Sequence, residues 1–181
     1  MNFFLIANND NISDKTISEL PITDNDVIIL YNRQMPLKWD KIKSHNNKLL
    51  FLRRKEGGFH GEDKLFDNKN LYNKIYLSAS HIIDNDTLLK YEEKYKIKLY
   101  KFIEKDDDIR KHIEFKDNKV PQTGLISYLF VKDNFNYDKI FLVGFTNTYK
   151  NGIWHGHSKE IEQEFYEVET SKSKNIIKID A

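Results

Sequence analysis

The densest group of reactive side chains in the sequence lies in residues 143–158. Two histidines in this segment, His155 and His157, are candidates for a general base because imidazole titrates near neutral pH. Tyr149 and Trp154 can stack on a nucleobase or a sugar ring, and both can donate a hydrogen bond to a phosphate. We therefore expect any chemistry of the protein to be concentrated in this segment.

The two histidines have two further interpretations. Histidines separated by one residue occur in zinc sites, which need at least one more protein ligand. The candidates for that ligand are His60, His112 and Glu160, none of which stands at a diagnostic spacing. One or both histidines can instead cap a helix or pack against it. We favour the interpretation that needs neither a metal ion nor another cofactor.

Phosphate binding would have to use helix N-termini and side chains. The sequence has seven glycines and neither the G-x-G-x-x-G nor the Walker A motif, in which glycine amides bind phosphate. Ser158 and Lys159 open the helix that we predict after the reactive segment, and the N-terminus of a helix attracts anions. Residues 53–55, which are Arg, Arg and Lys, could also bind an anion, or they form a solvated basic loop.

Continuous apolar runs, each followed by polar residues, predict the strands that would position these groups. The predicted strands are Phe3–Ala7, Val27–Tyr31, Lys48–Leu52, Lys74–Leu77, Ile97–Phe102 and Lys139–Val143, and the predicted helices are Asp14–Leu20, Asp86–Tyr95, Thr123–Val131 and Glu160–Glu167. Runs without alternation are typical of strands covered on both faces, as in parallel sheets. We therefore predict a Rossmann-like α/β fold with a mostly parallel central sheet flanked by helices.

Polar residues directly after the strands are the next candidates for binding, because open α/β sheets bind ligands at the carboxyl ends of their strands. Asn8, Asn9 and Asn11 follow the first strand, and Asn32 follows the second. A side-chain amide both donates and accepts hydrogen bonds, which suits the recognition of a base or a sugar. The alternative is that these are plain turn residues, because asparagine is common in turns.

Length and composition restrict the class of protein. The 181 residues can bury one substantial core, so we predict a single domain over residues 1–181 with a polar tail from about residue 170. A formal net charge of +1 argues against a nucleic-acid-binding protein. The sequence has no cysteine, no signal-peptide pattern and no transmembrane-length apolar run. We expect a cytoplasmic protein, with a peripheral position at the inner membrane and a homo-oligomer as open alternatives.

Several short motifs are similar to one known family. Gly124–Phe130 followed by Asn136–Gly144 has that family's helix-then-strand pattern, and Tyr149 precedes an Asn-Gly turn, as it does there. Residues 157–159 match the family's His-Ser-Lys motif, and Asn32 lies where the family has an Asn-Gln pair. On these motifs the sequence resembles the bacterial sialyltransferases of glycosyltransferase family 42.

The resemblance implies that the fold is a GT-A-like variant. It also implies an inverting, metal-independent transfer of a sugar from a CMP-activated donor, such as CMP-sialic acid, to a glycan acceptor, as in lipooligosaccharide biosynthesis. It implies that His157 is the general base for the acceptor hydroxyl and that Tyr149 donates hydrogen bonds to the leaving phosphate. The candidate substrate- and nucleotide-binding residues, some in the reactive segment and some outside it, are Asn9, Asn32, Thr123, Gly124, Gly144, Thr146, Trp154, His155 and Ser158.

Some positions depart from the family pattern. The first turn, Ala7–Asp10, lacks the glycines of the family, and Thr146 replaces an aspartate. The segment between Tyr149 and His157, where the family has a lid, is short, and a lid normally excludes water and completes the acceptor site. These departures leave open an alternative function, a non-catalytic accessory protein that binds a nucleotide or a glycan on a degenerate transferase scaffold.

Overall fold

The computed structural model describes residues 1–55, 58–79, 85–103, 121–146 and 159–181. In these ranges seven parallel strands form one central sheet in the spatial order β6-β5-β3-β2-β1-β7-β8. The seven strands are β1 (Phe3–Ile6), β2 (Val27–Tyr31), β3 (Lys48–Lys55), β5 (Lys74–Ala79), β6 (Leu99–Ile103), β7 (Ile140–Val143) and β8 (Ile176–Ile179). A short strand, β4 (Gly58–Phe59), pairs antiparallel with the end of β3.

Helices cover both faces of this sheet. The described helices are α1 (Asp14–Glu19), α2 (Asp40–Lys43), α3 (Glu62–Asn68), α4 (Asn85–Tyr95), α5 (Thr123–Asn134) and α6 (Lys159–Lys172), with 3₁₀ turns at Met35–Lys38 and Lys69–Leu71. Helices α1, α3 and α4 pack on one face through Ile17, Leu65 and Tyr95, whereas α5 and α6 pack on the other through Leu125 and Tyr166. The coverage of both faces explains why the strands are continuously apolar.

Strand β1 lies in the interior of the sheet, between β2 and β7, and all four of its side chains are buried. Because side chains alternate along a strand, Phe3 and Leu5 enter the core under α5 and α6. Phe4 and Ile6 enter the opposite core, where the Phe4 ring stacks on Phe141 of β7 at 4.4 Å between centroids. Strand β1 therefore joins both cores and fixes the position of the residues that follow it.

The order of the strands reverses at β1. From β1 the chain adds β2, β3, β5 and β6 in one direction, and α5 then leads back to β7 on the other side of β1, with β8 beyond it. Right-handed crossovers place the helices of the two directions on opposite faces, as observed. The loops after β1 and β7 therefore diverge, and this switch point is where open α/β sheets bind their ligands.

The prediction of a Rossmann-like α/β fold is confirmed, with some differences between elements. Strand β3 continues through residues 53–55, so these basic residues belong to a strand and not to a solvated loop. Helix α3 was not predicted. Its described residues include one buried apolar side chain, Leu65, and the helix starts after a left-handed Gly61 that makes no side-chain cap, so the sequence carries neither an apolar pattern nor a cap signal for it. Helix α6 extends to Lys172, and β8 then pairs with β7, so the end of the chain is more ordered than the predicted polar tail.

Candidate functional site

A cleft of about 160 Å³ opens at the carboxyl edge of the sheet, beside the switch point. Its walls come from the ends of β1 and β2, from the start of α5 and from the turn after β7. The lining residues are Ala7, Asn8, Tyr31, Asn32, Gln122, Thr123, Gly124 and Phe145. Four of the residues predicted from the sequence, Asn8, Asn32, Thr123 and Gly124, therefore meet in one cavity.

The N-terminus of α5 forms one wall of the cleft. Gln122 occupies the cap position without making a side-chain cap, and no acidic residue stands in the first turn. The first amides of a helix have no carbonyl partner within the helix and carry a partial positive charge. The hydroxyl of Thr123, the first helical residue, accepts a hydrogen bond from Asn32 Nδ2 at 3.4 Å, so its proton remains able to donate into the cleft. This wall suits an anion.

The amide of Asn32 is oriented by the neighbouring strand. Its Oδ1 accepts a hydrogen bond from the backbone N–H of Arg53 at 2.8 Å, which turns its Nδ2 toward Thr123. The backbone carbonyl of Asn32 packs directly against Gly61, where a Cβ atom would lie 1.6 Å from the carbonyl oxygen. Gly61 also has φ +76°, so a glycine is required there on both grounds.

Asn8 joins the loops after β1 and β2. Its Nδ2 donates to the carbonyl of Tyr31 at 3.4 Å, and its Oδ1 accepts from the N–H of Met35 at 3.2 Å. Both ends of the side-chain amide are therefore used within the protein, although Asn8 lines the cleft. Its role in the described structure is to hold the two loops at a fixed separation.

Asn9 joins β1 to the turn after β7. It is 2% exposed, and its Nδ2 donates to the carbonyl of Gly144 at 2.9 Å and to Thr146 Oγ1 at 3.2 Å. Its Oδ1 accepts from the N–H of Asn11 at 3.0 Å. Asn9 lies beside the cleft and is not one of its lining residues. Its polar groups bind the two turns together across the switch point. Gly144 itself has φ +73° and packs against Ile12.

The floor of the cleft is aromatic. Tyr31 and Phe145 are both more than 90% buried and meet edge to face, with ring centroids 6.1 Å apart. The Tyr31 hydroxyl accepts a hydrogen bond from Ser127 at 2.9 Å, which fixes the ring. A Cβ atom on Gly124 would lie 2.5 Å from Phe145, so the absence of a side chain brings α5 against the aromatic floor.

Two charged residues hold the start of α5. Glu162 of α6 is 3% exposed, and its Oε1 accepts the backbone N–H of Gln122 at 2.8 Å. Arg53 donates from Nη1 to the carbonyl of Pro121 at 2.6 Å. Burial raises the pKa of Glu162 to about 8, while the Gln122 hydrogen bond and the Arg53 charge partly oppose that rise. An ionisable carboxyl therefore lies directly behind the wall of the cleft.

The remaining predicted site residues, Tyr149, Trp154, His155, His157 and Ser158, lie outside the described part of the chain, as does His112. The other two candidates for a metal ligand, His60 and Glu160, are exposed. Across the described ranges, no group of three acidic or histidine side chains could bind a metal ion. Nor does any helix in these ranges have the length and apolar character of a membrane span.

Several residues of this region were not predicted from the sequence: Ala7, Tyr31, Gln122, Phe145 and Glu162, and Arg53 as a partner of α5. Gln122 carried one usable signal, because it stands between Pro121 and the predicted helix, where a cap is expected. Phe145 follows a predicted strand but reads as an ordinary apolar residue. Nothing local in the sequence shows that Glu162 is buried, since its burial depends on the packing of α6 against α5.

The fold and this cleft define a Rossmann-like α/β protein with a small polar cavity at its topological switch point. No protein-family model, curated protein or solved structure with which the chain was compared matches it.

Proposed function

We propose that the protein is a sialyltransferase-like glycosyltransferase, which transfers a sugar from a CMP-activated donor to a glycan acceptor by an inverting, metal-independent mechanism. The observation that carries the proposal is the cleft at the start of α5. A nucleotide donor brings a phosphate, which suits the unpaired amides of a helix N-terminus and the hydroxyl of Thr123. The aromatic floor formed by Tyr31 and Phe145 is suited to the flat or apolar face of a ligand.

The connectivity of the chain also supports the proposal. The segment that carries the proposed base begins after Thr146, directly beyond Phe145 in the cleft, and it leads into α6, whose Glu162 bonds to the start of α5. In the proposed reaction His157 takes the proton of the acceptor hydroxyl, whose oxygen attacks the anomeric carbon as the bond to the CMP phosphate breaks. Tyr149 donates a hydrogen bond to the released phosphate. Both roles follow from the family resemblance.

A cytoplasmic location belongs to the same proposal. The site of action would be the inner face of the membrane if the acceptor is lipid-linked, as it is in lipooligosaccharide biosynthesis. The acceptor would then bring the protein to the membrane surface, and no spanning helix would be needed.

Calorimetric titration with CMP tests the binding step. We expect Thr123→Val, which removes the hydroxyl at nearly constant volume, to weaken CMP binding about tenfold, the usual effect of losing one hydrogen bond to a charged group. Thr170→Val, in the last turn of α6, is the matched control and should bind as the wild type does. If neither CMP nor CMP-sialic acid binds to the wild-type protein, the proposed function is wrong.

The transfer step has its own test. His157→Ala should lower turnover with a CMP-sugar donor by about 10²–10⁴-fold while CMP binding is retained, because a general base acts on the acceptor and not on donor affinity. Turnover measured by CMP release, with and without added glycan acceptors, gives the comparison. An equal loss of CMP binding would contradict the role of His157 as a base.

One observation favours the second candidate function, a non-catalytic nucleotide- or glycan-binding protein. The side-chain amides of Asn9 and Asn8 both donate and accept hydrogen bonds within the protein, which leaves less of their bonding capacity for a sugar donor than the family pattern implies. CMP binding by the wild-type protein without transfer or donor hydrolysis would identify this function.

A further inference from the structure

A buried acid stands behind the cleft wall, and the proposed reaction does not use it. Glu162 is 3% exposed and bonds to the backbone N–H of Gln122, the residue that caps α5 and lines the cleft. Most buried carboxylates are fully paired, because an unpaired charge is costly in the interior. The one cation that faces Glu162 among the described residues is Arg53, and its Nη1 donates to the carbonyl of Pro121.

We propose that Glu162 is a positioning residue that couples ligand binding in the cleft to its own proton. A phosphate-bearing ligand binds at the start of α5 while Glu162 is protonated, and ionised Glu162 opposes that binding. This inference rests on the proposed function, because it assumes an anionic ligand at the N-terminus of α5.

The geometry gives the coupling a direct route. Glu162 accepts a hydrogen bond from the backbone N–H of Gln122, the residue before Thr123. The carboxyl and a bound phosphate would therefore share the same few N–H donors at the start of α5. An ionised carboxylate attracts the positive end of the helix dipole and repels a second anion. When the carboxyl is neutral, the full attraction of the helix N-terminus is available to the ligand.

The direction of the pH effect follows from the protonation state. Burial raises the pKa of Glu162 to about 8, so the carboxyl is mostly neutral at pH 7 and mostly ionised above pH 9. A bound anion raises this pKa further, so binding at a pH between the two pKa values transfers part of a proton per ligand from the solvent to the carboxyl. If the rise is about one unit, CMP affinity falls about tenfold as the pH increases from 7 to 9.5.

The experiment is a calorimetric titration with CMP at several pH values between 7 and 9.5. A phosphate monoester loses its second proton near pH 6, so the charge of CMP changes little in this window. The test variant is Glu162→Gln, which preserves an acceptor for the Gln122 amide. The matched control is Glu164→Gln on the same helix, where the side chain is exposed.

We expect the wild type and Glu164→Gln to lose about tenfold in CMP affinity over this range, and Glu162→Gln to change less than twofold. An equal loss in Glu162→Gln overturns this inference and leaves the proposed function intact. An absence of CMP binding by every protein at every pH overturns the proposed function as well.

A second measurement keeps the test decisive if Glu162→Gln does not fold. The wild type is titrated with CMP at pH 8.5 in two buffers that have different enthalpies of ionisation. Uptake of about half a proton per CMP is expected from a one-unit rise in the pKa. Equal binding enthalpies in the two buffers would mean that no proton is taken up, which overturns the inference.

Discussion

Two buried carboxyl groups lie at opposite ends of the parallel strands, one at the amino edge and one at the carboxyl edge of the sheet, and their pKa values shift in opposite directions. Asp26 precedes β2 at the amino edge and is 2% exposed, and Glu162 lies behind the cleft at the carboxyl edge and is 3% exposed. Asp26 accepts the N–H of Asn2 at 2.7 Å and both the N–H and the hydroxyl of Thr23 at 2.9 Å. Glu162 accepts one backbone amide among the described residues.

The number of hydrogen bonds decides the direction of the pKa shift. Burial alone would raise the pKa of Asp26, but the three hydrogen bonds from Asn2 and Thr23 outweigh burial and hold it below the usual value. Burial dominates at Glu162, whose pKa rises to about 8. A buried carboxyl is therefore not in itself a sign of function. The informative case is the carboxyl that the fold leaves incompletely paired beside an open cavity.

A second buried charged group at the amino edge, Lys48, is paired within the protein as Asp26 is. Lys48 begins β3 and is 2% exposed, and its ammonium group donates to the carbonyls of Lys43 and His45, while its backbone N–H donates to Asn73. Burial lowers the pKa of Lys48. These polar groups find their partners within the protein, which is typical of an edge that serves only the fold.

The largest expected effect concerns Glu162. Its folded pKa of about 8 lies above its unfolded value of about 4.3, so its contribution to stability is full below pH 4 and is lost as the pH rises toward 8. Relative to wild type, Glu162→Gln should gain about 1.4 kcal/mol of unfolding free energy for each pH unit between 5 and 8, or about 4 kcal/mol in total. Urea unfolding at pH 5, 6, 7 and 8 measures this difference. A constant difference would contradict the raised pKa.

Asp26→Ala should destabilise the protein by about 3 kcal/mol at pH 7, because three donors, the N–H of Asn2 and the N–H and hydroxyl of Thr23, lose the carboxylate that accepts from them. CMP affinity should change less than twofold, since Asp26 is at the other end of the sheet. Asp24→Ala, two residues earlier and exposed, is the control and should change stability by less than about 0.5 kcal/mol. A loss of CMP binding in a folded Asp26→Ala protein would break the contrast between the two edges.

The pH dependence of the Asp26 contribution has the opposite sign. Its folded pKa is below the unfolded value of about 3.9, so the stabilisation is present above pH 4 and is lost as the pH falls through the lower, folded pKa. The stability difference between wild type and Asp26→Ala should therefore be constant from pH 5 to 8 and shrink below pH 4. A difference that changes between pH 5 and 8 would show that Asp26 is not fully paired.

The smallest expected effect concerns Asn9, which the sequence predicted as a ligand-binding residue. Asn9→Ala should cost about 2 kcal/mol of stability, because the carbonyl of Gly144 and the N–H of Asn11 lose their partner. CMP affinity should fall less than threefold if Asn9 acts only through the fold. A fall of tenfold or more in a folded variant would assign Asn9 to ligand binding after all.

Most of the fold could be predicted from local pattern. The runs of β1, β2 and β7 are continuously apolar because both of their faces are covered. The sequence offers Ser13 or Asp14 as the cap of α1, and in the structure the Ser13 hydroxyl accepts the N–H of Thr16 at 3.0 Å. Strand β8 and the full length of α6 were underestimated. Their stability comes from pairing with β7 and packing on α5, which a local pattern does not reveal.

The candidate site could be predicted only in part. Asn32 was found because the end of a strand is a defined place in this class of fold, and Thr123 because of the family resemblance. The engagement of Asn9 with Gly144 was not foreseen, because the two residues are far apart in sequence and meet only when β7 pairs with β1. The burial of Glu162 has the same origin, in the packing of two helices.

The position of β1 between β2 and β7 also determines when the site can form during synthesis. The chain makes β2 soon after β1, but β7 begins roughly one hundred residues after β2 ends, which corresponds to about 5–20 s of translation. Until then one edge of β1, with its phenylalanine, leucine and isoleucine side chains, has no partner strand, and such an edge can pair with other chains. The nascent chain therefore carries an edge that can pair with other chains until β7 is made and the cleft beside it can form.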